Sequence, residues 1–184
     1  EGDAPAQERL RRLEDFRRDL VRLERGAAPE IAWFSELGAL IRDRGLPFQL
    51  FHDLLSAFSQ DVVKTRYASH EEVLDYCKRS ANPVGRLLLV LYGADGHTHG
   101  GWSDAICSSL QLINFLQDVA VDYRKGRIYL PYDEMARFGI TEDQIARGDT
   151  GGRWREFMVF QVDRARALLN EGAPLARALK GRIG

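Results

Sequence analysis

Hydrophobic side chains recur every three or four positions along most of this 184-residue chain. Such spacing places apolar side chains on one face of a helix. It predicts helices over residues 5–25, 31–44 and 48–64, which are separated by glycine and proline residues that break helices. The only extended candidate is the short segment 127–130. The pattern therefore predicts an all-α fold in one domain that covers residues 1–184.

A fourth helix is predicted to begin at the capping box formed by Ser69 and Glu72 and to continue through the apolar segment 87–92. Pro83 lies inside this pattern, where it removes a backbone hydrogen bond and should kink the helix. The small residues around Pro83 would let either a neighbouring helix or a long apolar ligand approach closely. Periodicity alone favours helix packing over a ligand pocket at this point.

Residues 93–102 are rich in glycine and are predicted to form a loop, after which Ser103 is expected to cap the next helix. The loop contains His97 and His99, which are potential metal ligands. Two histidines in a flexible glycine-rich loop, without further ligands or second-shell support, do not favour a zinc site.

The helix after Ser103 carries the most informative pattern of the chain. Placed 100° apart, Gln111, Asn114, Asp118 and Asp122 fall in one narrow stripe, and nearly all the remaining circumference is apolar. A helix of this kind is expected to be central and buried. Two carboxylates one turn apart are costly to bury unless positive charge meets them.

That positive charge could be a metal ion. Proteins usually hold Mg²⁺ with one or two carboxylates, and substrate phosphates and water complete its octahedron. Asp118 and Asp122, with the amide of Asn114, suit this role, and Gln111 could orient a ligand or a water molecule.

Cations follow the stripe directly, because Arg124, Lys125 and Arg127 lie just downstream of Asp122. Arginine can bind a phosphate through two parallel hydrogen bonds. The alternative is a solvated helix with an ordinary acidic spacing, in which the cations and Gly126 simply end the helix. Spacing alone leaves both interpretations open, and burial of Asp118 and Asp122 is expected to favour the first.

Composition narrows the class of protein. Hydrophobic residues make up 45% and charged residues 29% of the chain, as in soluble globular proteins. The net charge of −1 offers no basic field, so no nucleic-acid partner is expected. Cys77 and Cys107 form no disulfide framework, and no apolar run reaches the roughly 18 residues of a membrane span. These features predict a cytoplasmic protein.

At three places the sequence resembles the squalene/phytoene synthase family. Gln111-x-x-Asn-x-x-x-Asp-x-x-x-Asp122, followed by Lys-Gly-Arg-Ile-Tyr-Leu-Pro131, is similar to its second aspartate-rich motif. Tyr76-Cys-x-x-x-Ala-x-x-Val-Gly85 resembles its other signature, and Asp61-x-x-x-Thr-Arg-Tyr67 the usual lead-in. Residues 80–86, Ser-Ala-Asn-Pro-Val-Gly-Arg, are most similar to bacterial hydroxysqualene synthases of hopanoid biosynthesis.

The resemblance implies an isoprenoid-synthase-type helical bundle, here truncated at both ends. It also implies Mg²⁺-dependent ionisation of farnesyl or presqualene diphosphate to hydroxysqualene or squalene, with a peripheral membrane contact available for product release. By position, Asp118 and Asp122 would bind the metal and act in catalysis with Tyr129. Side chains expected to bind the substrate are Gln111, Asn114, Arg127, Lys125, Arg66 and Tyr67.

One departure from the family pattern limits this expectation. The family's first aspartate-rich motif does not occur here, because Asp15 and Asp19 have its spacing but lie on an arginine-rich amphipathic helix. Residues 1–184 alone are therefore expected to be inactive. Alternatives to the hydroxysqualene or squalene assignment are a phytoene synthase-like activity, an inactive relative that serves as a scaffold, and a plain helical interaction module. The oligomeric state is left open.

Overall fold

The computed structural model describes residues 4–179, and within this range the chain is helical with no β-strand. In chain order the helices are α1 Ala6–Glu24, α2 Phe34–Arg44, α3 Phe48–Val63, α4 His70–Ser80, α5 Asn82–Leu91, α6 Gly96–Gln117, α7 Val119–Arg124, α8 Tyr132–Phe138, α9 Glu142–Ala146, α10 Trp154–Gly172 and α11 Leu175–Ala178. The predicted all-α class is confirmed for the described residues. Helix α6 packs mainly along α10 and α5, and α1 packs on α3.

The first three helices end close to their predicted limits. Helix α2 stops at Gly45, whose φ of 61° lies in the left-handed region that glycine adopts without strain. Pro47 then precedes the first turn of α3. The start of α2 was predicted three residues too early, because residues 31–33 form a turn that leads into the helix.

The predicted kinked fourth helix is two helices, α4 and α5, which meet at Ala81. Pro83 lies in the first turn of α5, where its missing N–H costs no helical hydrogen bond. The cap at Ser69 is confirmed, since its hydroxyl accepts a hydrogen bond from the Glu72 N–H at 3.4 Å. The carboxylate of Glu72 accepts from the Ala68 N–H at 2.7 Å rather than from Ser69.

The loop predicted over residues 93–102 was wrong beyond its first three positions. Helix α6 already begins at Gly96, because the Asp95 carboxylate caps it by accepting from the His97 N–H at 2.9 Å. Ser103 is therefore a buried residue inside the helix and not its cap. Gly100 lets the side chain of Arg86 approach the helix closely, since an added Cβ would lie 3.2 Å from Nη1 of Arg86.

The expectation that the polar-stripe helix is buried all round was also wrong. Helix α6 buries the face that carries Ser109, Leu112 and Phe115, but Leu110 is 51% exposed. Asn114 and Asp118 are exposed as well. The helix packs against α4, α5 and α10, with smaller contacts to α7 and α11, and these leave Leu110, Asn114 and Asp118 exposed.

Within the described part of the chain, no helix is both long and apolar enough to cross a membrane. This agrees with the absence of a long apolar run in the sequence. A peripheral membrane contact during product release stays a prediction.

His70 gives the fold a pH dependence that can be measured. Its Nδ1 atom is buried without a hydrogen-bond partner among the described residues. Burial, and to a smaller extent the positive charge of Arg164, lowers the pKa of His70. The negative charges of Glu134 and Asp133 raise it by less than this. The unfolded chain therefore takes up this proton first as the pH falls below about 6.5. We expect the free energy of unfolding to decrease from that pH down to the lowered pKa.

Urea unfolding between pH 7 and pH 5 would test this expectation. His70→Asn removes the buried titrating group, so the loss of stability on acidification should become smaller. His97→Asn is the matched control, because His97 is exposed and should leave the pH dependence unchanged. An identical pH dependence in the wild type and in His70→Asn would contradict the assignment.

Candidate active site

Asp61, near the C-terminal end of α3, joins three parts of the chain. The Tyr76 hydroxyl of α4 donates a hydrogen bond to Asp61 Oδ2 at 2.8 Å. The Tyr129 hydroxyl lies 3.5 Å from Oδ1, and Arg127 Nη2 donates to the Asp61 carbonyl oxygen at 2.8 Å. Two phenol groups and one guanidinium group therefore lie within hydrogen-bonding distance of Asp61.

Stacked aromatic rings hold these phenols in place. The rings of Phe115 and Tyr129 are nearly parallel, with centroids 3.9 Å apart and an interplanar angle of 5°. Tyr67 stacks on Tyr129 at 5.4 Å and meets Tyr76 edge-on at 5.9 Å. All four rings are buried, so their positions are set by packing in the core.

Burial also sets the protonation state of the phenols. It raises the pKa of Tyr129 to about 12, and the nearby negative charge of Asp61 contributes to the increase. Burial likewise raises the pKa of Tyr76, again with a contribution from Asp61. Both hydroxyls are therefore protonated at neutral pH and act as hydrogen-bond donors.

Residues 127–131, the site segment, carry Arg127 and Tyr129 to Asp61. The Ile128 N–H donates to the Thr65 carbonyl at 3.0 Å, and just beyond the segment the Tyr132 N–H donates to the Tyr67 carbonyl at 3.0 Å. The extended candidate predicted at 127–130 thus lies along the α3–α4 connection without forming a strand. Ile128, Tyr129, Leu130 and Pro131 are buried, so the segment is packed into the core.

Arg66 connects the turn that precedes the site segment to α9 through hydrogen bonds. Its Nη1 donates to the Gly126 carbonyl at 2.6 Å, and its Nε and Nη2 donate to the two carboxylate oxygens of Glu142 at 3.0 and 2.8 Å. Nε also lies 3.0 Å from the Tyr132 hydroxyl. The guanidinium is thus engaged within the protein, and the predicted contact of Arg66 with a substrate stays a prediction.

Asp118 and Asp122 lie where α6 gives way to α7. Asp118 is the exposed residue between the two helices, and Asp122 is half-buried within α7. Burial and the negative charge of Asp118 raise the pKa of Asp122, while Lys125 and Arg127 act in the opposite direction. A divalent cation between the two carboxylates would relieve this repulsion.

The donor set fits Mg²⁺ only in part. Two carboxylates suit an ion whose shell is completed by phosphate oxygens and water. However, residues 4–179 contain no group of three or more His, Cys, Asp or Glu side chains that could hold a metal ion. Asp118 and Asp122 therefore supply at most one arm of a site, and their role as metal ligands stays a prediction.

The other residues predicted to bind substrate make no hydrogen bond to Asp61 in the described part of the chain. Gln111 is half-buried and Asn114 exposed on α6, and neither side chain makes a hydrogen bond within the described range. Lys125 is exposed at the end of α7. Tyr67 is buried and its hydroxyl accepts from Gln60 Nε2 at 3.2 Å, so its place in the site is that of a packed ring.

An open cleft of about 390 Å³ lies over Asp61 and Arg127. Its other lining residues are Arg9, Arg12, Leu13, Phe16 and Phe58. The cleft thus combines apolar walls with guanidinium groups from α1 and the site segment. Sequence reasoning missed the two α1 arginines, because an arginine-rich amphipathic helix is usually a solvated one.

A family model for squalene/phytoene synthases matches residues 1–184. The chain belongs to the squalene/phytoene synthase family. Its resemblance to that family, predicted from the motifs around Tyr76 and Asp118, is thereby confirmed. The isoprenoid-synthase-type helical fold is confirmed as well, since the crystal structure of the squalene synthase HpnC from Alicyclobacillus acidocaldarius matches with a TM-score of 0.84 and 35% identity. That match covers 91% of this chain and 64% of the other.

Curated members of the squalene/phytoene synthase family with different products are similar to this chain. A hydroxysqualene synthase from Rhodopseudomonas palustris is 38% identical over 141 residues, which are 76% of this chain and 48% of the relative. A 15-cis-phytoene synthase from Synechococcus elongatus is 33% identical over 178 residues, which are 90% of this chain and 58% of the relative. The chain thus spans about half the length of these curated relatives.

The fact that the chain spans only about half of its relatives affects how the exposure of the polar stripe on α6 and α7 is interpreted. Exposure of Asp118 was expected to favour a plain helical interaction module over an enzyme. Burial measured in a chain that spans about half the length of its relatives does not separate the two hypotheses. The family match over residues 1–184 shows the family, and the activity of this chain is taken up as a proposal below.

Proposed function

We propose that the full-length protein is a synthase of head-to-head (1′–1) isoprenoid metabolism that ionises presqualene diphosphate, supplied as such or formed from two molecules of farnesyl diphosphate. Water that captures the rearranged cation gives hydroxysqualene, and a hydride donor such as NADPH would be needed to give squalene instead. The observation that carries the proposal is the convergence of groups at Asp61, whose carbonyl accepts from Arg127 at 2.8 Å and whose carboxylate accepts from Tyr76 at 2.8 Å, at the edge of the cleft. Carboxylates, cations and protonated phenols thus meet beside an apolar cleft. Similarity to hydroxysqualene synthases and to a squalene synthase supports the choice of product.

Each group has a role that follows from its chemistry. Asp118 and Asp122 would hold Mg²⁺, which neutralises the charge that develops on the departing diphosphate. Arg127 and the exposed Lys125 would donate hydrogen bonds to diphosphate oxygens. Because Arg127 is also bonded to the Asp61 carbonyl, its guanidinium is fixed before the substrate arrives.

The aromatic and apolar groups would act on the hydrocarbon part of the substrate. Leu13, Phe16 and Phe58 offer apolar walls against which a prenyl chain can pack. The hydroxyls of Tyr76 and Tyr129 are held protonated and aimed at Asp61, so they can stabilise negative charge but do not readily accept a proton. Excluding water from such a site controls which nucleophile reaches a carbocation.

Phytoene synthase-like activity is the second candidate, because a phytoene synthase from Zea mays is also 38% identical over 129 residues. An inactive scaffold is less well supported, since a chain that had lost catalysis would not need Asp118, Asp122, Arg127 and Tyr129.

Incubation of the full-length protein with Mg²⁺ and either farnesyl or presqualene diphosphate, followed by mass spectrometry of the extracted lipids, tests the proposal. We expect hydroxysqualene without a reductant, or squalene when NADPH is added as the hydride donor, and no product when EDTA removes the metal. A phytoene-type product formed only from geranylgeranyl diphosphate would establish the second candidate instead. A folded protein that gives no product from any of these diphosphates would support the scaffold hypothesis and contradict both proposals.

A further inference from the structure

A second polar cluster lies buried between α8 and α10. The carboxylate of Glu134, only 9% exposed, accepts hydrogen bonds from Gln161 Nε2 at 2.7 Å and from Arg164 Nη2 at 2.8 Å. Arg164 Nη1 donates to the other carboxylate oxygen, and Arg164 Nη2 also donates to Gln161 Oε1 at 2.6 Å. Glu134 and Gln161 are buried and Arg164 is partly exposed, and the three side chains hydrogen-bond to one another.

The charge of Glu134 is retained in spite of burial. Burial alone would raise the pKa of this carboxyl group, but the hydrogen bonds from Arg164 and Gln161 outweigh it and hold the pKa below its ordinary value. The pair is thus ionised at neutral pH. Removing one partner of a buried ion pair is costly, because the other charge is left without compensation.

The cluster adjoins the site segment on the side of α10. Glu134 follows Pro131 by three residues in the chain. Tyr129, Gln161, Arg164 and neighbouring side chains surround a narrow cavity of about 10 Å³, which is room for about one water molecule. Arg164 and Tyr129 thus face the same small cavity between α10 and the site segment.

The site segment is therefore held from two sides. Thr65 accepts a hydrogen bond from the Ile128 N–H, and Tyr67 accepts one from the Tyr132 N–H. On the opposite side, Glu134 ties the start of α8 to α10 through side chains alone. The two backbone hydrogen bonds join the segment and its C-terminal neighbour to the α3–α4 connection, and the ion pair joins the helix that directly follows the segment to α10.

We propose that Glu134 and Arg164 are positioning residues, which keep Arg127 and Tyr129 at Asp61 by anchoring the site segment to α10. Neither residue is assigned a contact with substrate. The anchoring itself is independent of the reaction, whereas its effect on turnover rests on the proposed prenyl synthase function.

Glu134→Gln in the full-length protein is the primary test, because glutamine keeps the shape of glutamate and removes its charge. We expect the amides of Ile128 and Tyr132 to exchange with deuterium about tenfold faster, while amides of α4 and α5 keep their protection. We expect kcat with farnesyl diphosphate to fall about tenfold, in the range observed when a residue that orients a catalytic group is replaced. Arg164→Lys keeps the positive charge and loses the paired geometry, so its effects should be smaller.

Asp104→Asn is the matched control. Arg86 and Asp104 form the same kind of paired ion pair between α5 and α6, at 2.8 and 2.7 Å, but neither residue contacts the site segment. This variant should leave kcat and the exchange of Ile128 and Tyr132 unchanged.

The outcomes separate the hypotheses. Unchanged exchange at Ile128 and Tyr132 in Glu134→Gln would overturn the proposal, and so would faster exchange spread evenly over all helices, which indicates general destabilisation. Faster local exchange with full turnover would overturn the positioning role. If the wild type turns over no prenyl diphosphate, the proposed function fails, but the exchange measurement still decides whether Glu134 anchors the segment. If Glu134→Gln does not fold, the same local measurement on Arg164→Lys decides.

Discussion

Asp118→Asn in the full-length protein should lower the turnover of farnesyl diphosphate by about a hundredfold or more, which corresponds to roughly 2.7 kcal/mol in the activation barrier. An amide is a weaker ligand for Mg²⁺ than a carboxylate. The substitution also removes a negative charge that would otherwise help to hold the metal beside the diphosphate. The fold should be unaffected, because Asp118 is exposed between α6 and α7. Steady-state kinetics at increasing Mg²⁺ concentration, together with a thermal unfolding midpoint, would measure both effects.

The control for this prediction is Asp163→Asn. Asp163 is an exposed acidic residue of α10 paired only with Arg166, so its replacement should change neither turnover nor Mg²⁺ dependence. Near-normal activity of Asp118→Asn at saturating Mg²⁺ would show that Asp118 is not required as a metal ligand. The assignment of the whole polar stripe would then need to be revised.

The polypeptide 1–184 alone should turn over no prenyl diphosphate. Its described residues offer no group of three or more His, Cys, Asp or Glu side chains for a metal, so Asp118 and Asp122 would have to retain Mg²⁺ unaided. We expect weak, Mg²⁺-dependent binding of pyrophosphate at best. Apolar side chains such as Leu88 and Leu110, 48% and 51% exposed, should also make this polypeptide prone to aggregate.

The measurement compares purified 1–184 with the full-length protein, each incubated with Mg²⁺ and either farnesyl or presqualene diphosphate, with products detected by mass spectrometry. Isothermal titration with pyrophosphate, with and without Mg²⁺, gives the binding of the isolated polypeptide. Comparable turnover by the two proteins would mean that a single carboxylate arm is sufficient. Our account of the metal site would then be incorrect.

Local chemistry made much of the fold predictable. Periodicity identified the helices whose apolar faces pack on one neighbour, and Ser69 marked the start of α4. Periodicity failed at α6, where the glycines of residues 96–101 suggested a loop. The helix begins there because Asp95 supplies a cap, and the guanidinium of Arg86 packs closely on Gly100. Intrinsic propensity is a weak guide wherever packing decides.

The site was less predictable, because its contacts are not local. Arg66 is bonded to Gly126 and to Glu142, which are 60 and 76 residues away along the chain. No pattern of neighbouring residues reveals such partners. Asp61 entered the sequence analysis only as part of a motif, although the structure places it at the centre of the aromatic cluster. The motif resemblance identified the family, but contacts between distant segments define the geometry.

The bonds of Arg66 also bear on when the site can form during folding. Contacts between residues this far apart require a long loop to close before they contribute any stability, and such contacts tend to form late. During synthesis, the turn at Gly126 cannot be fastened on both sides until Glu142 has left the ribosome. Until then the contacts of Asp61 with residues 76–129 can form, but of these two bonds of Arg66 only the one to the Gly126 carbonyl is available to hold the turn.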